Sequence, residues 1–295
     1  MLDLADFIAR HAVSVLLIVA FVWLLITAAF WHFIRVHGPR LWTFAVAASN
    51  WWRATALAKR LQNVPIAGPL LSHTMTVLRY LGLHAVIGFV IAIAAVTAFV
   101  ELADEIGVDE SLAQFDAALA SALGRHLSYT VLHAFSIVTV LGNRDVLVVL
   151  AALVAIVLLL MRRWVLAGAW AVATAGGGLL NVILKEIFAR QRPVHEHGLV
   201  TETSFSFPSG HASGSMLIYS LLGYLIVRHT PHKWHIPVAV VMSAVIIFVG
   251  SSRVILQVHY FSDVLAGYAS AAAWVALCIA GLEAVRWRRG RGGVG

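Results

Sequence analysis

Three short polar stretches in an otherwise apolar chain carry residue types that can handle phosphate. They are 185–193 (KEIFARQRP), 208–211 (PSGH) and 252–263 (SRVILQVHYFSD). Lys185 and Arg192 are seven residues apart, about two turns if a helix continues, so they would share a face at the end of an apolar run. An Arg offers a planar fork to phosphate oxygens and a Lys a mobile point charge. The same pair also reads as cations snorkelling to a membrane interface. Pro208 to His211 opens a further apolar run. Pro suits a helix start, and backbone N–H groups at Ser209 and Gly210 would face an anion there, with His211 in the first turn. A helix cap beside an interfacial His is the plainer reading. Arg253 ends one apolar run and His259 begins the next. His259 and Asp263 are spaced i, i+4, so on a helix the carboxylate would accept from one ring nitrogen and leave the other as nucleophile or base. A buried Asp–His pair with no chemical role remains the alternative.

These residues need elements that bring them together, and the composition indicates which kind. The chain has 295 residues, 61% hydrophobic and 12% charged, against about 25% charged in soluble domains. A mean hydropathy of +0.88 with several long apolar runs marks an integral membrane protein. The net charge of +7 suits basic loops beside anionic lipid. Nucleic acid is not an expected partner, because Lys and Arg sit at the ends of apolar runs and form no basic stripe. The lone Cys278 excludes an internal disulfide.

Seven stretches reach spanning length: roughly 12–34, 82–103, 145–161, 164–184, 210–228, 235–251 and 261–284. The first follows Asp3 and Asp6 without a positive n-region, and is read as a retained anchor. Residues 35–80 interleave Arg35, Arg40, Arg53, Lys59, Arg60 and Arg79 with Trp42, Trp51 and Trp52. They read either as a helix in the headgroup layer or as a solvated cytoplasmic linker. Residues 104–143 are acidic and carry a surface helix near Leu112–Leu123; 128–142 reads as re-entrant or interfacial. Gly176, Gly177 and Gly178 read as close helix packing. His195, Glu196, His197, Glu202 and Thr203 read mainly as a solvated loop, with headgroup contact as the alternative.

The positive-inside rule sets the orientation. With the N-terminus outside, residues 35–80, Arg162–Arg163, Arg228–Lys233 and the tail arginines 286, 288, 289 and 291 fall in the cytoplasm. The three polar stretches then meet on the exoplasmic face. The 185–208 loop breaks the rule, as expected if its cations have a partner other than the membrane surface.

K-x6-RP, PSGH and SR-x5-H-x3-D, in that order and without substitution, resemble the signature of the type-2 phosphatidic acid phosphatase superfamily, in its integral membrane lipid phosphate phosphatase branch. The resemblance covers roughly residues 80–285. It implies an all-α polytopic membrane helical bundle of six core transmembrane helices, with an extra N-terminal one. The expected organisation is an anchor and basic segment (1–80), a membrane phosphatase domain (81–285) and a basic cytoplasmic tail (286–295). By position, the resemblance implies that His259 forms a phosphohistidine, Asp263 orients it and His211 protonates the leaving group. Lys185, Arg192, Ser209, Gly210 and Arg253 would bind phosphate. No metal or cofactor is implied. The implied substrates are lipid phosphates or diphosphates such as undecaprenyl diphosphate, phosphatidylglycerol phosphate, phosphatidate or lipid A phosphates. The expected location is a bacterial inner membrane, with the site on the periplasmic side. A soluble vanadate haloperoxidase shares such a pocket but not the spans; an anion or lipid transporter would need the cations but not the histidines.

Overall fold

The computed structural model describes residues 2–54, 67–107, 110–194 and 197–291. The side chains of Trp42, Trp52, Arg53, Lys59, Arg60 and Arg79, the loop residues His195 and Glu196, and the side chains of the tail arginines lie outside what is described.

Among the described residues all regular structure is helical. The α-helices are α1 (Leu2–Arg10), α2 (Ala12–Ala54), α3 (Ala67–Asp104), α4 (Ser111–His126), α5 (Tyr129–Val138), α6 (Arg144–Leu160), α7 (Trp164–Phe188), α8 (Gly210–His229), α9 (His235–Ile255) and α10 (Phe261–Arg291), with short 3-10 turns at Thr139–Gly142 and His232–Trp234. Seven stretches among them are long and apolar enough to cross a membrane: Ala12–Gly38, Val86–Asp104, Tyr129–Leu160, Trp164–Phe188, Gly210–His229, His232–Ile255 and Phe261–Val285. This is the expected set of spans, one for one. The protein is a polytopic helical membrane protein.

Two readings change. The described parts of 35–80 form no separate interfacial helix: 35–54 prolong α2 and 67–80 open α3. Residues 129–142 are a helix and a 3-10 turn leading straight into α6, broken only where Asn143 takes an extended backbone (φ −61, ψ 140). Tyr129–Leu160 is therefore one candidate span.

The chain divides into two compact units, Met1–Thr27 with Ala92–Val275, and Ala28–Ile91 with Ala276–Gly295. In the smaller unit, a Cβ on Gly88 would lie 3.0 Å from both Ala280 Cβ and the Ala276 carbonyl, so α3 and α10 approach closely. The larger unit holds all three polar stretches, 185–193, 208–211 and 252–263. Its centre is α8, α9 and α10, whose spans are 44%, 33% and 50% buried, against 11% for Tyr129–Leu160. Glycines of α7 let that helix pack closely against α8 and α10. A Cβ on Gly176 would enter the Trp274 ring, and one on Gly177 would enter Leu217, the packing role read for them. Gly178 has open space instead.

Helix α4 is amphipathic and too short to span. Its Leu119, Ala122 and Leu123 bury Ala5, Ala9 and Ala12 of the N-terminal segment. Small residues at i, i+4 and about i+7 give α1 a flat seam to lay against α4. Asp6 closes the seam at 2.9 Å from His126 Nε2 and 2.7 Å from Arg10. The His126 contact holds the Asp6 carboxyl below its usual range.

Candidate active site

The end of α7 departs from a simple helical reading. The helix stops at Phe188, and Ala189 turns left-handed (φ 44), a conformation a non-glycine residue adopts at some cost. Arg192 is therefore not on the face of Lys185 by helical periodicity. The two still converge, because both reach the Phe205 carbonyl: Lys185 Nζ donates to it, and Arg192 Nη2 donates at 3.2 Å. The returning loop 202–207 is the template on which they meet.

Arg192 spends all five of its N–H donors on this chain. Nε donates to Ser204 O (2.7 Å), Nη2 to Ser204 Oγ (3.2 Å) and Phe205 O, and Nη1 to Val258 O (2.6 Å) and His259 Nε2 (3.0 Å). A guanidinium has no acceptor. Nε2 of His259 must therefore be the unprotonated nitrogen, and the ring proton sits on Nδ1, 3.4 Å from Asp263 Oδ2. Burial pushes this imidazole down to about 3, against the upward pull of Asp263, so the ring is neutral near pH 7.

His259 lies in the bend before α10, not on it. Its contact with Asp263 comes from the helix start. Asp263, in the first turn, accepts the Tyr260 N–H at 2.8 Å, as the third-position carboxylate of a capping box does. That geometry folds the carboxylate back over the preceding turn, where His259 waits. Ser206 Oγ donates to the same Oδ2, and Arg190 Nη1 donates to Oδ1 at 2.7 Å. Asp263 is fully buried. An isolated carboxylate there would cost several kcal/mol; these donors remove the penalty and fix its orientation.

Ser209 caps α8, its Oγ accepting from the Ala212 N–H at 3.4 Å. The expectation that its own N–H is free for an anion fails: that group donates to the Asp263 carbonyl at 2.9 Å. The reason is the tight approach of α10, where a Cβ on Gly267 would lie 2.8 Å from the Ser209 carbonyl oxygen. Gly210 faces Lys185, whose Cε would be 3.8 Å from a Cβ there.

Arg253 is completely buried. Its Nη1 donates to Thr139 Oγ1 (2.7 Å), Nη2 pairs with Glu202 Oε1, and its Nε has no partner among the described residues. Glu202 also lies 3.8 Å from Arg192 Nη2 and 3.8 Å from His211 Nδ1. The loop carboxylate read as solvated is thus gathered among two guanidiniums and an imidazole. His197 is likewise engaged, with Nε2 2.7 Å from the Leu256 carbonyl.

Residues 139–143 form a wall of the site that no motif announced. Besides Thr139 on Arg253, Asn143 Oδ1 lies 2.9 Å from His211 Nε2. Asn143 sits at the N-cap of α6 yet makes no side-chain cap; its amide oxygen is turned to the histidine instead. Nε2 then donates, and Nδ1 is the nitrogen facing Glu202 and the cations. Gly142 permits the approach, since a Cβ there would be 3.0 Å from His211 Cδ2. The Gly-Asn pair after an apolar run is a turn signal, the one trace of this wall in the sequence.

The structure therefore brings Lys185, Arg192, Arg253, Ser209, Gly210, His211, His259 and Asp263 into one cluster within the larger unit. Residues 166–287 match the PAP2 superfamily. The matched segment is under half of the chain. Over 92 residues it is 42% identical to phosphatidylglycerophosphatase B of Bacillus subtilis (strain 168), covering 30% of this chain and 45% of that protein. It is 34% identical over 101 residues to a lipid A 1-phosphatase of Rhizobium etli, covering 31% and 40%. It is 35% identical over 125 residues to the decaprenylphosphoryl-5-phosphoribose phosphatase of Mycobacterium tuberculosis, covering 41% and 63%. The chain spans less than two thirds of the length of each of these relatives. The crystal structure of a transmembrane PAP2-type phosphatidylglycerolphosphate phosphatase from Bacillus subtilis superposes with a TM-score of 0.57 at 26% identity, over 69% of this chain and 97% of that one. Asp116, Thr139 and Asn143 lie before the matched segment, although their side chains hydrogen-bond with Arg190, Arg253 and His211 inside it.

Proposed function

We propose that this chain is an integral membrane phosphatase that hydrolyses lipid phosphates or diphosphates at the exoplasmic face. The observation that carries the reading is the tautomer of His259: a buried, neutral ring whose unprotonated Nε2 points toward the cations. In the first step Nε2 attacks phosphorus, a P–N bond forms, and the bond to the leaving oxygen breaks. For this step His211 carries a second proton, on Nδ1, while Nε2–H stays on Asn143; it gives the Nδ1 proton to that oxygen and is left neutral. Water then attacks the phosphohistidine while His211 takes its proton, and the P–N electron pair returns to Nε2. Asp263 holds the proton of Nδ1 in place and stabilises the ring as positive charge develops. Lys185, Arg192 and Arg253, with the Ser209 hydroxyl and the Gly210 N–H at the α8 start, spread charge over the phosphoryl oxygens, which is most of what phosphoryl transfer requires.

The substrate class rests on the site's place at the ends of membrane spans and on the lipid phosphatases among the relatives. The contact of Asp6 with His126 supports the orientation, since two spans between them leave both on one side. The test is phosphate release by detergent-solubilised protein from prenyl diphosphates, glycerolipid phosphates and a lipid A phosphate, in EDTA, with a sugar phosphate as soluble control. Release from at least one lipid and not from the sugar is expected. Strict dependence on a divalent metal, or no release at all, would contradict the reading; the latter would favour a carrier. A C-terminal tag should be reachable only from the cytoplasm.

A further inference from the structure

Behind the nucleophile lies a buried pair that the reaction above does not use. Arg190 stands between two carboxylates, Asp263 Oδ1 at 2.7 Å and Asp116 Oδ2 at 3.0 Å. Its Nη1 also donates to Ser262 Oγ at 2.8 Å, and its guanidinium lies 4.3 Å from the Tyr260 ring centre. Asp116, on α4, is wholly buried and accepts from both the backbone N–H (3.1 Å) and the hydroxyl of Ser262. Arg190 and Arg192 are two residues apart in the irregular segment that follows α7. Arg192 reaches the Nε2 end of the histidine couple, and Arg190 reaches its carboxylate end.

A single Arg beside Asp263 is free to draw the carboxylate off Nδ1. With its other amino group held by Asp116, the guanidinium is fixed from both sides, and half of its charge is met elsewhere. Oδ1 then goes to Arg190 and Oδ2 stays with His259, Tyr260 N–H and Ser206. We propose that Asp116, acting through Arg190 and Ser262, is a positioning residue that fixes Asp263 and thereby the tautomer of His259. This rests on the phosphatase reading. It also gives the N-terminal segment a task, because α1 packs on the helix that presents Asp116.

The test uses the full chain in detergent. Asp116→Asn and Arg190→Gln should each lower kcat about 10- to 100-fold, the usual reach of groups that orient a reacting residue, while KM stays within about threefold. The double variant should lose no more than the worse single one, because both changes break the same link. Multiplied losses, or a change in KM alone, would overturn the inference. Should Asp116→Asn not survive extraction, Ser262→Ala removes a hydroxyl from the same link and should show the same kcat-only loss. Absence of turnover by the wild type sinks the phosphatase reading and this inference with it. Wild-type turnover that His259→Ala abolishes, but that all three supporting variants leave intact, sinks the inference alone.

Discussion

Arg192 Nη1 lies 3.0 Å from Nε2 of His259. A donor-only group at that distance leaves Nε2 as the unprotonated nitrogen, aimed where cations gather, and so selects the nitrogen that attacks in the proposed reaction. His259→Ala should abolish phosphate release, and His211→Ala should remove most of it while substrate still binds. Acid-labile labelling of the wild type, absent in His259→Ala, is the direct check. Normal turnover in His259→Ala ends the assignment.

Asn143→Ala should unhook His211 without touching the cations. A lost hydrogen bond to an orienting group is worth about 1–2 kcal/mol, so kcat should fall about 10-fold with little change in KM. Steady-state kinetics on one lipid phosphate decide this. A rise in KM at constant kcat would place Asn143 in substrate binding instead.

Glu202 occupies the cationic cluster with a negative charge of its own, paired with Arg253 and 3.8 Å from Arg192 and His211. Any anion gripped by those groups competes with it. Orthovanadate, which imitates pentacoordinate phosphorus, should inhibit. Glu202→Gln should lower its inhibition constant several-fold, since about 1 kcal/mol of competing attraction is removed. An unchanged constant would mean that the anion sits elsewhere.

The buried neutral His259 makes stability depend on pH. Folded, the ring titrates near 3; unfolded, near 6.5. As pH falls from 7.5 to 5, the unfolded chain takes up a proton that the folded one refuses, so stability falls, by about 2 kcal/mol at pH 5. His259→Gln lacks this group, and its unfolding midpoint in detergent should fall less over the same interval. Equal slopes for the two proteins would contradict the buried neutral ring.

Gly267→Ala places a Cβ 2.8 Å from the Ser209 carbonyl, against backbone that cannot swing aside. About 1–3 kcal/mol of stability should be lost. Activity should fall with it, because the start of α8 must shift. A variant as stable and as active as the wild type would show that α8 and α10 are not in close contact there.

The residue types of the pocket were legible from spacing alone, as were the seven spans. Lipid demands long apolar helices, and phosphate chemistry demands a particular few side chains. Long-range partnerships were not legible. Ser206 and Arg190 meet Asp263 from 57 and 73 positions away, Asp116 meets Arg190 from 74, and Asn143 meets His211 from 68; such pairs leave no period in the sequence. Even the local spacings misled on mechanism. Lys185 and Arg192 converge because the helix ends at Ala189 and a loop carbonyl gathers them. His259 meets Asp263 because a helix start folds a carboxylate backward.

By itself the sequence determined that this is a helical membrane protein with side chains chemically suited to phosphate near span ends, since hydrophobic length and residue chemistry are local properties. Only the tertiary structure decided which nitrogen of each histidine is free and which loop groups enclose them. Those choices depend on donors and acceptors brought together by packing, and a linear chain does not record that closeness.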